Sequence, residues 1–150
     1  MKNRGIGGDD TDGVLERLKE VTSSHPRMVF VMIGTNDLAY GKSVAHVAEN
    51  HKKIIARIKE ESPGTLIYMQ SVLPVDDAIH YTRPNASMLE INKHLKAYCE
   101  ENGVTYIDLV PLFSDEKGKL NKKYSIDGLH LNGEGYIKWV EVIKKYVDQK

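Results

Sequence analysis

Asp127 and His130 stand three positions apart in the stretch Tyr124-Ser125-Ile126-Asp127-Gly128-Leu129-His130-Leu131-Asn132. A carboxylate that accepts from one imidazole nitrogen fixes the tautomer and leaves the other nitrogen as a base, which is what acyl transfer requires. Taken alone, the same spacing is more commonly a surface turn, here with Asn132 capping the helix that follows. Two other segments offer hydrogen-bond donors. Ile33-Gly34-Thr35-Asn36-Asp37 ends an apolar run on a Gly turn. An Asn amide aimed into a cleft there places a neutral N–H where an oxyanion develops. The bland alternative is an Asx turn, which Asn and Asp favour in any such loop. Arg4-Gly5-Ile6-Gly7-Gly8-Asp9 precedes a helix start, where unpaired backbone N–H groups bind negative charge. Its glycines do not have the spacing of a dinucleotide-binding turn.

The elements that must position these residues follow from periodicity. Asp9, Asp10, Thr11 and Asp12 supply caps for a helix reaching about Ser23, with Leu15 and Leu18 on its apolar stripe. Met28 to Ile33 is a continuous apolar run, the pattern of a strand covered on both faces. Ser43 caps a long helix whose Val44, Val47, His51, Ile54, Ile55 and Ile58 share one face, and Pro63-Gly64 stops it. Leu66 to Val72 reads as a second strand, followed by a polar loop from Val75 to Arg83. A helix from about Pro84-Asn85 carries Met88, Ile91, Leu95 and Tyr98 and ends at Gly103. Val104 to Leu109 is a third strand, and Phe113 to Lys123 is a looser stretch. The last helix, capped by Asn132, is expected to bury Ile137, Val140, Ile143 and Val147. Strand and helix alternate over short connections, so βαβ units and a parallel α/β sheet are expected, with the three chemical segments gathered at the carboxyl ends of its strands.

Composition narrows the partners. The chain has 150 residues and reads as a single domain, residues 1–150, with a core that needs no disulfide. Lys+Arg and Asp+Glu both total 21, so no net charge draws it to nucleic acid or an anionic membrane. No apolar run approaches the roughly 20 residues of a membrane span. The single cysteine, Cys99, fits a helix face as a buried hydrophobe. His25, His46, His51 and His94 lack paired ligand spacing, so no metal is expected. Trp139 reads as a packing residue of the last helix, and His80, Tyr81 and Arg83 lie in the loop over the presumed cleft, where they would touch a substrate head group or simply be solvated.

Asn3-Arg4-Gly5-Ile6-x-Gly8-Asp9, Gly34-Thr35-Asn36-Asp37 and Asp127-x-x-His130, in this order and spacing, resemble blocks two, three and five of the SGNH hydrolases, the GDSL esterase/lipase superfamily. The likeness runs from residue 3 to the final helix and is nearest to small bacterial acylhydrolases and carbohydrate acetylesterases. It implies a three-layer α/β/α, flavodoxin-like fold and Ser-His-Asp hydrolysis of small acyl esters, acetyl above all, without metal or cofactor. By motif position Gly8 and Asn36 would form the oxyanion hole, His130 would be the base, and Asp127 would orient it.

One block is missing. The family's Gly-Asp-Ser turn precedes block two, and no Gly-Asp-Ser occurs in this chain, so the nucleophile is absent together with the first strand. Ser71 is the only serine near the right sheet edge, in a segment that is structural in the family, and is a poor substitute. Two readings remain: an N-terminally truncated esterase, or a degenerate relative that binds ligand or self-associates without hydrolysis. The joint presence of Gly8, Asn36, Asp127 and His130 favours truncation, and Met1 sits where another strand residue is expected. The absence of a signal-peptide pattern then says nothing about compartment. A bare edge on the Met28–Ile33 strand is a pairing hazard, so two copies are expected to meet along it, unless the N-terminal remnant moves in beside it. A flavodoxin-like binding domain would share the architecture but not explain Asn36 and His130 at one edge.

Overall fold

β-Branched and aromatic residues favour extended backbone, and they build Met28–Val31 (β1), Leu66–Gln70 (β2) and Thr105–Ile107 (β3). The helices are Thr11–Arg17 (α1), Lys19–Thr22 (α2), Thr35–Ala39 (α3), Val44–Glu61 (α4), Asn85–Glu101 (α5), Val110–Phe113 (α6) and Gly133–Val147 (α7). The computed structural model describes residues 1–149. Its strands form one parallel sheet in the order β1-β2-β3, with Phe30 opposite Tyr68 and Gln70 opposite Ile107. Parallel neighbours need long crossovers, which α4 and α5 supply.

Alternation along the strands divides the core into two layers. Val29, Val31, Ile67 and Met69 pack against Leu18, Ile54, Ile55, Ile58, Leu95 and Cys99 of the helices on one face. Burial pushes the Cys99 thiol up to about 11, so it packs as a neutral hydrophobe. On the other face Met28, Phe30, Tyr68 and Ile107 meet Leu109, Phe113, Trp139, Ile143 and Tyr146. Phe30 stacks on Tyr68 with ring centroids 4.6 Å apart, and Tyr146 meets Tyr68 edge-on at 5.4 Å. The buried Gln70 amide is satisfied by Trp139 Nε1, which donates to its Oε1 at 2.7 Å. The result is the three-layer α/β/α arrangement that the resemblance implies.

Several local expectations change. The apolar stripe of α7 is not buried as a whole: Ile143 is 3% exposed, but Ile137 is 64%, Val140 51% and Val147 42% exposed. The helix seats through Trp139, Val142, Ile143 and Tyr146, a face rotated from the expected stripe, so Ile137, Val140 and Val147 face solvent. β1 ends at Val31 and all four of its residues are half-buried, because as an edge strand it is covered incompletely. The first helix breaks at Leu18 into α1 and α2. β3 stops at Ile107, because Val110–Phe113 winds into a turn of helix with Pro111 at its start, where a missing N–H costs nothing. Thr35–Ala39 is helical where a simple turn was expected. The N-terminal segment does not fill the sheet edge: residues 1–6 are exposed, and Arg17 Nη1 donates to Arg4 O at 2.7 Å, holding the segment beside α1.

Candidate active site

The Asp127 loop is built around one glycine. Gly128 has φ +76°, and a Cβ there would lie 2.8 Å from the Asp76 Cβ, so this close crossing of two loops requires glycine. Asp76 N donates to Gly128 O at 2.8 Å across the same crossing. The tight turn folds Asp127 back on its own chain, where Oδ1 accepts from Leu129 N at 2.9 Å and His130 N at 2.8 Å. Its other oxygen, Oδ2, is 2.7 Å from His130 Nδ1. The bond to the imidazole, reinforced by the backbone donors, holds the Asp127 carboxyl well below the usual carboxylate range. With Nδ1–H committed to Asp127, Nε2 carries the free lone pair, on a ring whose side chain is 77% exposed. After the loop, Asn132 caps α7 by accepting from Gly135 N at 2.9 Å, so the same turn that leads into the cap also brings the acid and the imidazole together.

Asn36 leaves the end of β1 on the first turn of α3. Gly34, at φ +140°, makes that exit possible, because a Cβ there would meet Val72 Cγ2 at 3.0 Å. The preceding carbonyl is held from below by His51, whose Nε2 lies 2.9 Å from Ile33 O. His51 is 1% exposed, burial pushes its pKa down to about 4, and its Nδ1 is buried without a partner. The neutral ring therefore donates from Nε2. The next residue, Asp37, is fully buried and accepts from Thr11 N at 3.2 and 3.1 Å and from Thr11 Oγ1. Burial pushes the Asp37 carboxyl up, against the Thr11 donors. Asn50 Nδ2 completes the knot by donating to Thr11 Oγ1 at 2.8 Å, and Lys42 bridges Asp10 and Asp12 at the rim. This network fixes the start of α1, and so the turn that holds Gly8, to the start of α3.

Around the two presumed donors the contacts are direct. Asn36 Nδ2 donates to Asp9 O at 2.9 Å, and Tyr40 Oη donates to Gly8 O at 2.7 Å. Asn36 Oδ1 accepts from Arg83 Nη2 at 3.1 Å. His80 Nε2 lies 2.8 Å from Asp127 O. Asp9, Asn36, Arg83, His80, Asp127 and His130 thus form one continuous chain of contacts, which Gly8 joins through its peptide bond to Asp9. Tyr81 is 80% exposed and projects into solvent. Ser71 is fully buried, its Oγ accepting from Leu109 N at 2.9 Å, which makes it a structural bridge between strand ends. Among the described residues no group of His, Cys, Asp and Glu converges to ligate a metal, and no helix is long and apolar enough to cross a membrane.

Sequence reasoning singled out the residues at the surface of this site and missed those beneath it. The sequence places His51 on an apolar helix face without metal-ligand spacing; a histidine in such a stripe signals a hydrogen-bonded core group. Asp37 and Thr11 carry no sequence signal that distinguishes them from ordinary capping residues.

The sequence model of the GDSL-like Lipase/Acylhydrolase family matches residues 1–137. The chain belongs to that family. Among curated relatives, this GDSL-family chain is 31% identical over 139 residues to an N-acylneuraminate cytidylyltransferase of Escherichia coli, covering 91% of this chain and 32% of that protein. It is 29% identical over 147 residues to the platelet-activating factor acetylhydrolase IB subunit alpha2 of Gallus gallus, covering 96% of the chain and 62% of the relative. Among solved structures, a GDSL-like lipase from Bacteroides thetaiotaomicron superposes with TM-score 0.88 at 25% identity, covering 97% of this chain and 74% of that one. The GDSL-family chain therefore spans about a third of the length of the cytidylyltransferases it matches.

Proposed function

We propose that this chain carries the base and the oxyanion hole of a serine esterase that hydrolyses small acyl esters, acetyl esters of carbohydrate-like alcohols foremost. The observation that carries the reading is the 2.7 Å Asp127–His130 bond, tied through the 76–83 loop to Asn36. His130 Nε2 would take the proton of a serine hydroxyl as it attacks the ester carbonyl. Gly8 N–H and the second N–H of Asn36 would receive the oxyanion. His130 would then protonate the leaving alcohol, and the same base would activate water against the acyl-enzyme. The relatives named as an acetylhydrolase and a lipase support the reaction class, and the former the acetyl group. On this reading the nucleophile is the serine of a Gly-Asp-Ser turn, a tripeptide that does not occur among these 150 residues.

The test is hydrolysis of p-nitrophenyl acetate by the chain as it stands and by the chain joined at its N-terminus to a Gly-Asp-Ser-bearing segment of the family. The joined form is expected to be active and the chain alone silent; activity in neither overturns the reading. In the active form Asn36→Ala is expected to lower kcat by about 10²- to 10³-fold with little change in KM, since the amide acts on the transition state.

A second reading, a non-catalytic, self-associating unit, is favoured by the outer side of β1, unpaired among the described residues, and by the exposed apolar side chains of α7. Such an edge is a template for strand pairing. Sedimentation equilibrium is expected to show dimers that Met28→Pro abolishes, because Leu66 N donates to Arg27 O and the Met28 N–H therefore faces away from β2; a monomer at all concentrations rejects dimerisation.

A further inference from the structure

We propose that the Asp76–Arg83 loop is a strut that sets the spacing between oxyanion donor and base, with Arg83 and His80 as its two positioning residues. The proposal rests on the acyl-transfer reading of Asn36 and Asp127–His130, and adds the part that couples them.

At one end Arg83 Nη2 donates to Asn36 Oδ1 at 3.1 Å. A carboxamide can exchange its O and N ends by rotating half a turn, with almost no change of shape. A cation on the oxygen forbids that exchange, because the rotated form would face donor to donor. One Asn36 N–H is then held by Asp9 O at 2.9 Å, which leaves the second for an oxyanion. A bond from a charged donor also polarises the amide and strengthens the N–H on its far side. Among the described residues no carboxylate pairs with Arg83, and its Nε is buried without a partner. Leaving a half-desolvated cation unpaired costs stability. Here it leaves the positive charge available to negative charge developing beside Asn36.

At the other end His80 Nε2 lies 2.8 Å from the Asp127 carbonyl, so its N–H holds the residue whose side chain orients the base. The loop between is braced. His80 N donates to Asp76 O at 2.8 Å, Ile79 N to the same oxygen at 3.0 Å, and Arg83 N to His80 O at 2.9 Å. Asp76 is pinned by Lys119 Nζ at 2.8 Å and joined to Gly128. Beyond Arg83, Asn85 closes the loop, its Oδ1 accepting from Val75 N at 2.9 Å and its Nδ2 donating to Val75 O at 2.7 Å. A segment with this many internal bonds transmits displacement instead of absorbing it.

The test uses the 15N-labelled chain as it stands. The probes are the two Asn36 side-chain amide protons and the backbone amides of Gly128, Leu129 and His130. Arg83→Met is expected to bring the two Asn36 proton shifts together and to speed their exchange with solvent by about fivefold or more, the loss of one modest hydrogen bond. It is also expected to shift the Gly128–His130 amides, which it does not touch, and His80→Ala to shift the Asn36 pair. Arg83→Lys and His80→Gln, which keep a donor at each end and preserve the fold, are expected to restore most of both signals. Effects confined to the residue each side chain touches overturn the strut. An inactive serine-bearing form with the cross-effects intact rejects the esterase reading and leaves the strut; an active form without them does the reverse.

Discussion

His130→Ala in the serine-bearing form is expected to lower kcat/KM on p-nitrophenyl acetate by about 10⁴-fold or more, the loss typical of a triad member. The size follows from geometry. Nδ1 is committed to Asp127 at 2.7 Å, so Nε2 is the one imidazole nitrogen left to accept a proton. The carboxylate that holds Nδ1 is itself held by two backbone N–H groups and stays ionised far into acid. Asp127→Asn keeps the loop bonds but frees the imidazole to present the wrong tautomer, so a loss approaching that of His130→Ala is expected. Steady-state kinetics at several pH values check both. Hydrolysis that survives His130→Ala removes the mechanism, whatever the family.

Acidification is the second large effect, and it acts through a residue that never meets substrate. An unfolded histidine protonates near 6.5, whereas burial pushes His51 down to about 4 in the fold. As pH falls through this window the unfolded chain binds a proton that the folded chain refuses, so stability drops with pH, and the contribution of His51 is lost in full below about 4. The loss amounts to about 3 kcal/mol, a large share of the ~5–15 kcal/mol that holds a typical domain together. The carboxylates with lowered pKa, Asp10, Asp12, Glu61, Asp76 and Asp127, respond only at lower pH, because their unfolded values already lie near 4. His51→Gln keeps a donor for Ile33 O and removes the titration. Urea midpoints between pH 7 and 4.5 are expected to fall more steeply for the parent chain than for this variant, in both of which the raised Asp37 carboxyl acts in the opposite sense; parallel curves reject the assignment.

The elements were legible because each announces itself by a local pattern. The apolar run at Met28, the caps at Asp10, Ser43 and Asn132 and the stop at Gly103 all act within a few residues of themselves. The contact between Asp127 and His130 was legible for the same reason, since it closes within one turn of chain. What sequence could not show is long-range. Arg83 meets Asn36 across 47 positions, His80 meets Asp127 across 47, and Thr11 meets Asp37 across 26. No periodicity encodes such pairs. The α7 stripe failed differently: amphipathic spacing marks a face that can be buried, and only the neighbours decide whether it is.

The bond from Trp139 to Gln70 gives the molecule a built-in optical reporter. Trp139 is the only tryptophan in the chain, so all indole emission comes from the seam where α7 rests on β2. Its colour and quenching follow the seating of that one helix, while far-ultraviolet dichroism follows the backbone as a whole. When the two are recorded together, detachment of α7 can be distinguished from unfolding of the sheet without any label.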